Sequence, residues 1–168
     1  LGFELFVPTE MAASLFEAVT AAGQAFDLAL VGLATLDSLR MEKANRDYTH
    51  DVDNFDTPIE AGLRFTCAFG SDFRGESALA ALAEQVPTRR LVAVALDDPA
   101  PLLRGGEVLL RDGVAVGSVR AGAYGHSLGC AVGLAMIECG QPVSAAWLEA
   151  GRFETLAFAD RTATPIAT

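Results

Sequence analysis

The chain has 168 residues, of which 51% are hydrophobic and 20% are charged, so it can bury a core and is globular rather than disordered. Its formal net charge of −10 argues against nucleic acid or an anionic membrane as a main partner, because both recruit clustered Lys and Arg. No apolar stretch approaches the ~18 residues of a transmembrane helix, and no signal peptide is visible.

The N-terminal residues predict a strand followed by a helix. The run "LGFELFVP" is short, rich in aromatic residues and stopped by a proline, which is typical of a strand leaving a turn. Thr9 is a candidate N-cap for "EMAASLFEAVTAAG", where apolar residues recur at helical spacing.

A second helix is predicted over "LDSLRMEKA", with Thr35 as its cap, and a loop over residues 45–58, which carry Asn, Asp, Thr and Pro without a period. This region is dense in charge. Two pairs at one-turn spacing are expected to form ion pairs: Asp37 with Arg40, and Glu42 with Arg46.

The character of the chain changes near residue 64, where we place a domain boundary. "RFTCAF" is a strand candidate and "GESALAALAEQ" predicts a short helix near 75–85. The rest alternates between apolar runs and turn residues at the spacing of an antiparallel sandwich or barrel. Asp112-Gly113 is its strongest hairpin signal. The predicted strands are "RRLVAVALD", "GEVLLRDGVAVGSVRAGAY", "CAVGLAMIE" and "RFETLAFAD".

Cysteine usage predicts free thiols. Cys67, Cys130 and Cys139 are odd in number, lack metal-ligand spacing and each lie in an apolar run, which favours buried, unpaired thiols over a metal or redox site. Free thiols are typical of a reducing compartment, and we expect the protein to be cytoplasmic.

The familiar catalytic motifs are missing from the sequence. There is no HExxH or GxSxG, and "GAYGHSLG" lies between two strand candidates, so a turn is favoured over a phosphate loop and His126 is interpreted as a turn histidine. Glu4 is unusual because it stands among apolar residues of the first predicted strand. From the pattern alone it is either a solvent-facing strand residue or a carboxylate kept for a ligand.

Several stretches resemble, in order and spacing, the aminomethyltransferase (glycine cleavage T-protein) family, over essentially the whole chain. They are "LGFELFVPTE", "LDSLRMEKANRDY", "TPIEAGL" and "GAYGHSLGCAVGLA". The combination is most similar to the T-protein-like C-terminal portion of sarcosine and dimethylglycine dehydrogenases.

The resemblance implies an α+β fold in two parts. Residues 1–64 would be the C-terminal part of a folate-binding domain, and residues 65–168 a C-terminal antiparallel β-barrel, jelly-roll-like in the family. Family members carry a longer region before the equivalent of Leu1, including the aspartate that orients the reacting folate. The catalytic residues are therefore expected upstream, and residues 1–168 alone are expected to be inactive.

The resemblance also implies four folate-binding residues. Glu4 matches a glutamate that accepts hydrogen bonds from the pterin, a task suited to a carboxylate facing adjacent N–H donors. Phe65 and Tyr48 match aromatic positions of the family. In relatives a glycine follows the aromatic residue at the position of Tyr48, and Thr49 replaces that glycine here. Leu36 stands where glycine-cleavage T-proteins have a folate-contacting Arg, and this departure favours the dehydrogenase type.

The implied function is transfer of a one-carbon unit to tetrahydrofolate in a flavin-dependent N-methyl amine dehydrogenase, with FAD expected only in an N-terminal domain absent from this sequence. The expected partners are folate and an amine-derived one-carbon donor, with no metal, nucleic acid or membrane. Three alternatives stay open: a glycine-cleavage aminomethyltransferase, a folate-dependent demethylase, and a non-catalytic folate-binding module. The donor and the oligomeric state cannot be read from the sequence.

Overall fold

The computed structural model describes residues 2–157 and 159–166, with side chains described for residues 2–155. The chain divides into two compact units, Leu1–Leu33 and Ala34–Thr168, here called the first and second units. Within the described ranges, no helix is long and apolar enough to cross a membrane.

The first unit is helical. A 3-10 turn over Thr9–Met11 leads into α1 (Ala12–Gly23), which confirms the predicted helix, and a second 3-10 turn covers Gln24–Phe26. The predicted N-terminal strand is wrong, since residues 2–7 have no regular structure: a strand needs a neighbouring strand, and none among the described residues pairs with them. Thr9 makes no side-chain cap either, because it lies inside the 3-10 turn.

The second unit is a barrel preceded by helices. All but the first residue of α2 (Leu33–Glu42) lies in this unit, which continues through α3 (Glu76–Ala83) and has α4 (Ala145–Ala150) inserted late in the barrel. The strands are β1 (Arg89–Leu96), β2 (Val108–Arg111), β3 (Val114–Gly125), β4 (Cys130–Glu138), β5 (Phe153–Ala157) and β6 (Ala159–Ile166).

The strands close into one antiparallel barrel in the order β1-β4-β3-β2-β5-β6, with β6 pairing back onto β1. The predicted α+β class with an antiparallel barrel is confirmed. The β2–β3 hairpin turns through Asp112 and Gly113, with φ of 52° and 81°. Both angles lie in the left-handed region that a two-residue type I′ turn requires, which is why Asp-Gly predicts it.

Strands β1 and β4 are buried on both faces. Alternate residues of these strands point into the barrel, where they pack with residues from β2, β3 and β5. The intervening residues of the opposite face, including Leu91, Leu134 and Met136, pack against Met41 and Ala44 at the end of α2. The segment before the barrel is therefore seated on its outer wall.

Three local predictions need correction, and one is confirmed. The helix near 75–85 is α3. "RFTCAF" is no strand, because Arg64–Thr66 forms a 3-10 turn whose backbone bonds are made locally, as between Thr66 N–H and Leu63 O at 2.9 Å. The helix α4 was missed, although Ser144 caps it by accepting from Trp147 N–H at 3.1 Å. Thr35 lies inside α2, which begins at Leu33, three residues before the predicted start at Leu36.

Candidate functional site

The end of α2 is fixed to the β3–β4 hairpin by two hydrogen bonds. Ser38 Oγ donates to the carbonyl of Tyr124 at 2.6 Å, and Glu42 Oε1 accepts from the backbone N–H of Ser127 at 2.6 Å. The Ser127 N–H, together with the Ser127 hydroxyl, holds the pKa of Glu42 below its ordinary value of 4.5, against a smaller opposing effect of burial. This places the helix, and the loop that follows it, in a defined position on the barrel.

A buried carboxylate organises the loop after α2. Asp51 is fully buried, and its Oδ2 accepts from Arg40 Nη1 and from the backbone N–H of Asp47 at 2.7 Å. The predicted pair of Arg40 with Asp37 is confirmed at 3.5 Å, but Asp37 is largely exposed. Asp51 Oδ1 has no hydrogen-bond partner among the described residues, so these bonds to Oδ2 must offset the cost of burying the charge.

The predicted pair of Glu42 with Arg46 is wrong. The helix ends at Glu42 and Ala44 adopts a φ of 52°, so the one-turn spacing that would bring the two side chains together does not exist. Arg46 instead donates to the carbonyls of Ala44 at 2.6 Å and Ala61 at 2.9 Å. Burial lowers the pKa of Arg46, partly opposed by the negative charge of Asp51.

A second buried carboxylate ties the loop to the barrel. Asp56 has no exposed side-chain surface and accepts from Arg89 Nη2 at 2.8 Å, with Arg120 Nη2 at 3.9 Å. Arg89 also lies 3.4 Å from both Glu60 and Glu138. Burial lowers the pKa of Arg89, but these three carboxylates outweigh it, so the pKa lies above the ordinary value.

The four sequence-predicted site residues are all exposed. Leu36, Tyr48 and Phe65 in the second unit have exposed fractions of 55%, 58% and 82%, and Glu4 is an exposed residue of the first unit. The Tyr48 hydroxyl donates to Asn54 Oδ1, which orients the ring. The structure describes no contact among these residues, so their grouping into one site stays a prediction.

Thr49, which follows Tyr48, has an unusual backbone. Its φ is 81°, in the left-handed region that a β-branched residue rarely adopts. The backbone after Tyr48 therefore has a conformation that a glycine would adopt without strain but that is strained for a threonine.

Phe65 lines an open groove of about 750 Å³, whereas Leu36 and Tyr48 do not. The groove lies between the 3-10 turn at Arg64, the start of β1 and the start of α4. Its lining residues are Ile59, Gly62, Arg64, Phe65, Phe69, Gln85, Val86, Pro87, Arg90, Leu91, Ser144 and Ala145.

Residues 34–66, here called the frame segment, bury Met41, Ala44 and Ala61 as an ordinary core does, but they also bury two carboxylates and expose several large apolar side chains. Its charged residues Asp51 and Asp56 are buried and paired, while large apolar residues such as Leu36, Tyr48 and Phe65 face solvent. Exposed apolar groups on a fixed backbone suit the binding of a flat organic ligand. Sequence reasoning missed both buried aspartates, because nothing in their spacing distinguishes them from the exposed Asp37 and Asp47.

The thiols and acidic residues give no sign of a metal. Cys67, Cys130 and Cys139 are free, as predicted, but half-buried rather than buried. Among the residues whose placement is described, no group of His, Cys, Asp and Glu could hold a metal ion.

Two family models match the chain, and the two domains follow one another in the order that the resemblance implies. The GCVT N-terminal domain matches residues 1–71, and the glycine cleavage T-protein C-terminal barrel domain matches residues 89–166. The chain belongs to the glycine cleavage T-protein family.

Its relatives include both oxidases and transferases. The chain is 43% identical over 140 residues to 4-methylaminobutanoate oxidase (formaldehyde-forming) of Paenarthrobacter nicotinovorans, and 34% identical over 157 residues to human mitochondrial sarcosine dehydrogenase. These matches cover 82% and 91% of this chain but only 17% of each relative. It is also 37% identical over 144 residues to an aminomethyltransferase of Symbiobacterium thermophilum, covering 81% of this chain and 36% of that protein.

A solved structure agrees with this assignment. The glycine cleavage system aminomethyltransferase T of Bartonella henselae matches with a TM-score of 0.76 and 27% identity, over 96% of this chain and 44% of that one. The chain thus spans about a sixth to somewhat under half of the length of these proteins.

Proposed function

We propose that this chain is the folate-binding, aminomethyltransferase-like portion of a flavin-dependent N-methyl amine dehydrogenase, and that it passes a one-carbon unit to tetrahydrofolate. The oxidase and dehydrogenase relatives, each about six times as long as the matched region, support this assignment. Leu36 supports it as well, because a folate-contacting Arg is expected at this position in a glycine-cleavage enzyme.

The observation that carries the proposal is that the frame segment combines buried carboxylates with exposed large apolar side chains. Asp51 and Asp56 are buried against arginines, while Leu36, Tyr48 and Phe65 are exposed. Burying ion pairs is costly and leaving large apolar groups in water brings no stability, so the arrangement is explained by a ligand that covers the apolar groups. The rings of a folate, flat and largely aromatic, have the required shape.

Each proposed contact has a separate task. Tyr48 and Phe65 supply aromatic faces, on which a ring packs offset or edge-on, and Leu36 supplies an uncharged contact. Glu4, an exposed carboxylate, would accept hydrogen bonds from adjacent pterin N–H groups.

In the proposed reaction, an N-methyl amine loses a hydride and becomes an iminium, and a flavin bound elsewhere in the full-length protein would supply the hydride acceptor. The iminium carbon bonds to N5 of tetrahydrofolate, the amine leaves, and closure on N10 with loss of a proton gives 5,10-methylenetetrahydrofolate. The residues of this chain bind and orient the folate and keep water away, because an iminium that meets water hydrolyses to formaldehyde.

Substitution of Glu4 tests this function in the full-length protein. The carboxylate of Glu4 can accept hydrogen bonds with both oxygens, whereas the amide of Gln has one acceptor oxygen and points an NH2 donor at a pterin N–H donor. With Glu4→Gln, tetrahydrofolate affinity should therefore fall roughly tenfold to a hundredfold. Amine oxidation should be nearly unchanged while formaldehyde released per turnover rises. Glu10→Gln, another exposed carboxylate, is the control and should change neither quantity. If Glu4→Gln binds tetrahydrofolate as tightly as wild type does, Glu4 is not part of the site.

Substitution of Phe65 tests the exposed aromatic contacts. Phe65→Ala should weaken tetrahydrofolate binding about tenfold without loss of stability, because one ring contact is lost and the side chain is exposed. Phe55→Ala is the matched control, since Phe55 is equally exposed but does not line the groove. Equal effects of the two variants would contradict the assignment of Phe65.

The relative that forms formaldehyde favours a second candidate, in which amine oxidation is not coupled to folate at all. Full-length protein that releases one formaldehyde per amine at saturating tetrahydrofolate would support that candidate. A GxGxxG flavin fingerprint in the coding sequence upstream of Leu1 would separate both dehydrogenase readings from a glycine-cleavage enzyme or a folate-dependent demethylase.

A further inference from the structure

The groove beside Phe65 has an unusual charge for this chain. The protein carries 22 acidic residues against 12 Lys and Arg, yet the groove is lined by Arg64 and Arg90 and by no Asp or Glu. A concave surface with this lining attracts anions, in a molecule whose overall field repels them.

Neither arginine is neutralised by the described part of the protein. Arg40, Arg89 and Arg120 each have a carboxylate within 4.0 Å, whereas no described carboxylate comes that close to Arg64 or Arg90. Both guanidinium groups are held in place in other ways. Arg64 lies over the Phe69 ring, 5.9 Å from its centroid, and Arg90 Nη1 donates to the carbonyl of Val143 at 3.3 Å.

Each guanidinium keeps most of its capacity for a ligand. A guanidinium has five N–H donors in a fixed fork, and the described contacts use one of them at Arg90 and none at Arg64. A carboxylate can accept two such bonds in parallel, so two arginines can hold two carboxylates.

The rest of the groove is apolar. Phe65 and Phe69 contribute rings, and Ile59, Val86 and Pro87 contribute aliphatic surface. The volume of about 750 Å³ is within the range of sites for whole organic molecules and exceeds what an isolated carboxylate needs. The lining therefore fits a ligand that has an aromatic ring and at least one carboxylate.

We propose that this groove binds aromatic carboxylates through Arg64 and Arg90. This inference rests on the proposed function, under which the ligand is the p-aminobenzoylglutamate end of the folate. Phe65 packs on the benzoyl ring, and the guanidinium groups bind the carboxylates of the glutamate and of any further glutamates attached to it.

Titration with free p-aminobenzoylglutamate tests the groove apart from the pterin contacts. The full-length protein should bind it with an affinity that falls as salt rises, and should bind its uncharged diamide at least tenfold more weakly. Arg64→Gln should weaken binding about tenfold, and so should Arg90→Gln. Arg104→Gln is the control, because Arg104 is exposed, as Arg64 is, but does not line the groove, and it should bind as wild type does.

Several results would overturn the inference. One is equal affinity of wild type, Arg64→Gln and Arg90→Gln, with both variants folded by circular dichroism. Another is tighter binding of AMP than of p-aminobenzoylglutamate, which would assign the groove to a phosphate-bearing ring. The proposed function fails separately: if tetrahydrofolate does not bind but the arginine-dependent titration succeeds, the groove stands as an aromatic carboxylate site without folate chemistry.

Discussion

The barrel and the frame segment differ in the kinds of side chain that they bury and expose. Inside the barrel the buried groups are mostly apolar, as at Leu109, Ile137 and Phe153. In the frame segment the buried groups include Asp51 and Asp56, and the exposed ones include Tyr48 and Phe65. The barrel interior contributes stability through apolar burial, whereas in the frame segment buried charge costs stability and, under the proposed function, the exposed apolar groups contact a ligand.

The largest expected effect lies in the barrel. Leu109→Ala removes a fully buried side chain of β2 and should lower the free energy of unfolding by about 3 kcal/mol, because apolar burial is lost and a cavity remains. Leu128→Ala, at an exposed position in the β3–β4 turn, is the control and should cost less than about 0.5 kcal/mol. Urea unfolding measures both, and similar losses would mean that the barrel interior is not the main source of stability.

The next effect tests whether the frame segment depends on its buried charge. Asp51→Asn should cost about 2 kcal/mol, since it leaves Arg40 without its buried partner. Asp37→Asn removes the exposed partner of the same arginine and should cost less than about 0.5 kcal/mol. Equal costs for the two variants, again by urea unfolding, would mean that the buried charge of Asp51 matters no more than the exposed charge of Asp37, and would contradict the arrangement of buried carboxylates on which the proposed function rests.

The same contrast explains which features could be predicted from the sequence. The barrel follows local rules: Asp112-Gly113 sets a hairpin, and apolar runs such as that of β4 set strands. α4 was missed because it is only six residues long and its single clear signal is the cap at Ser144. The 3-10 turn at Arg64–Thr66 was mistaken for a strand because an aromatic, apolar run of that length suits both structures.

The frame segment could be predicted far less well, because its contacts join residues distant in sequence. Asp56 meets Arg89, and Glu42 meets Ser127 across 85 positions, and no spacing rule anticipates either. Arg64 and Arg90 were likewise absent from the predicted site, since only the fold brings them to one groove. Leu36, Tyr48, Phe65 and Glu4 came from resemblance, and their role in binding stays a prediction. The domain boundary near residue 64 also stays a prediction.

A smaller effect, of opposite sign, is expected at Thr49. Thr49→Gly should raise the free energy of unfolding by about 0.5 kcal/mol: it relieves about 1–2 kcal/mol of left-handed strain, less the greater entropy that glycine loses on folding. Thr66→Gly, in a right-handed 3-10 turn where Thr66 Oγ1 donates to Leu63 O at 2.7 Å, should instead destabilise. A loss of stability in Thr49→Gly would show that the frame segment does not store strain at this position.

The smallest effect concerns the attachment of the frame segment to the barrel, and it depends on pH. The Ser127 N–H lowers the pKa of Glu42 in the folded protein below the ordinary 4.5, so ionised Glu42 stabilises the fold above that pH. This contribution is lost as the pH falls from 4.5 through the lower folded-state value, because the protonated carboxyl has no charge to offer. Glu42→Gln should therefore be slightly less stable than wild type at pH 7, and the difference should vanish in strong acid.

Glu149→Gln, at an exposed glutamate of α4 with no described partner, should show no such dependence. Thermal unfolding of the three proteins between pH 3 and 7 measures this. The opposite outcome is a stability difference between Glu42→Gln and wild type that stays constant over this pH range. That result would mean that the substitution acts through shape or packing and not through loss of charge. The charge of Glu42 at its bond to Ser127 would then contribute nothing measurable to the attachment of α2 to the hairpin.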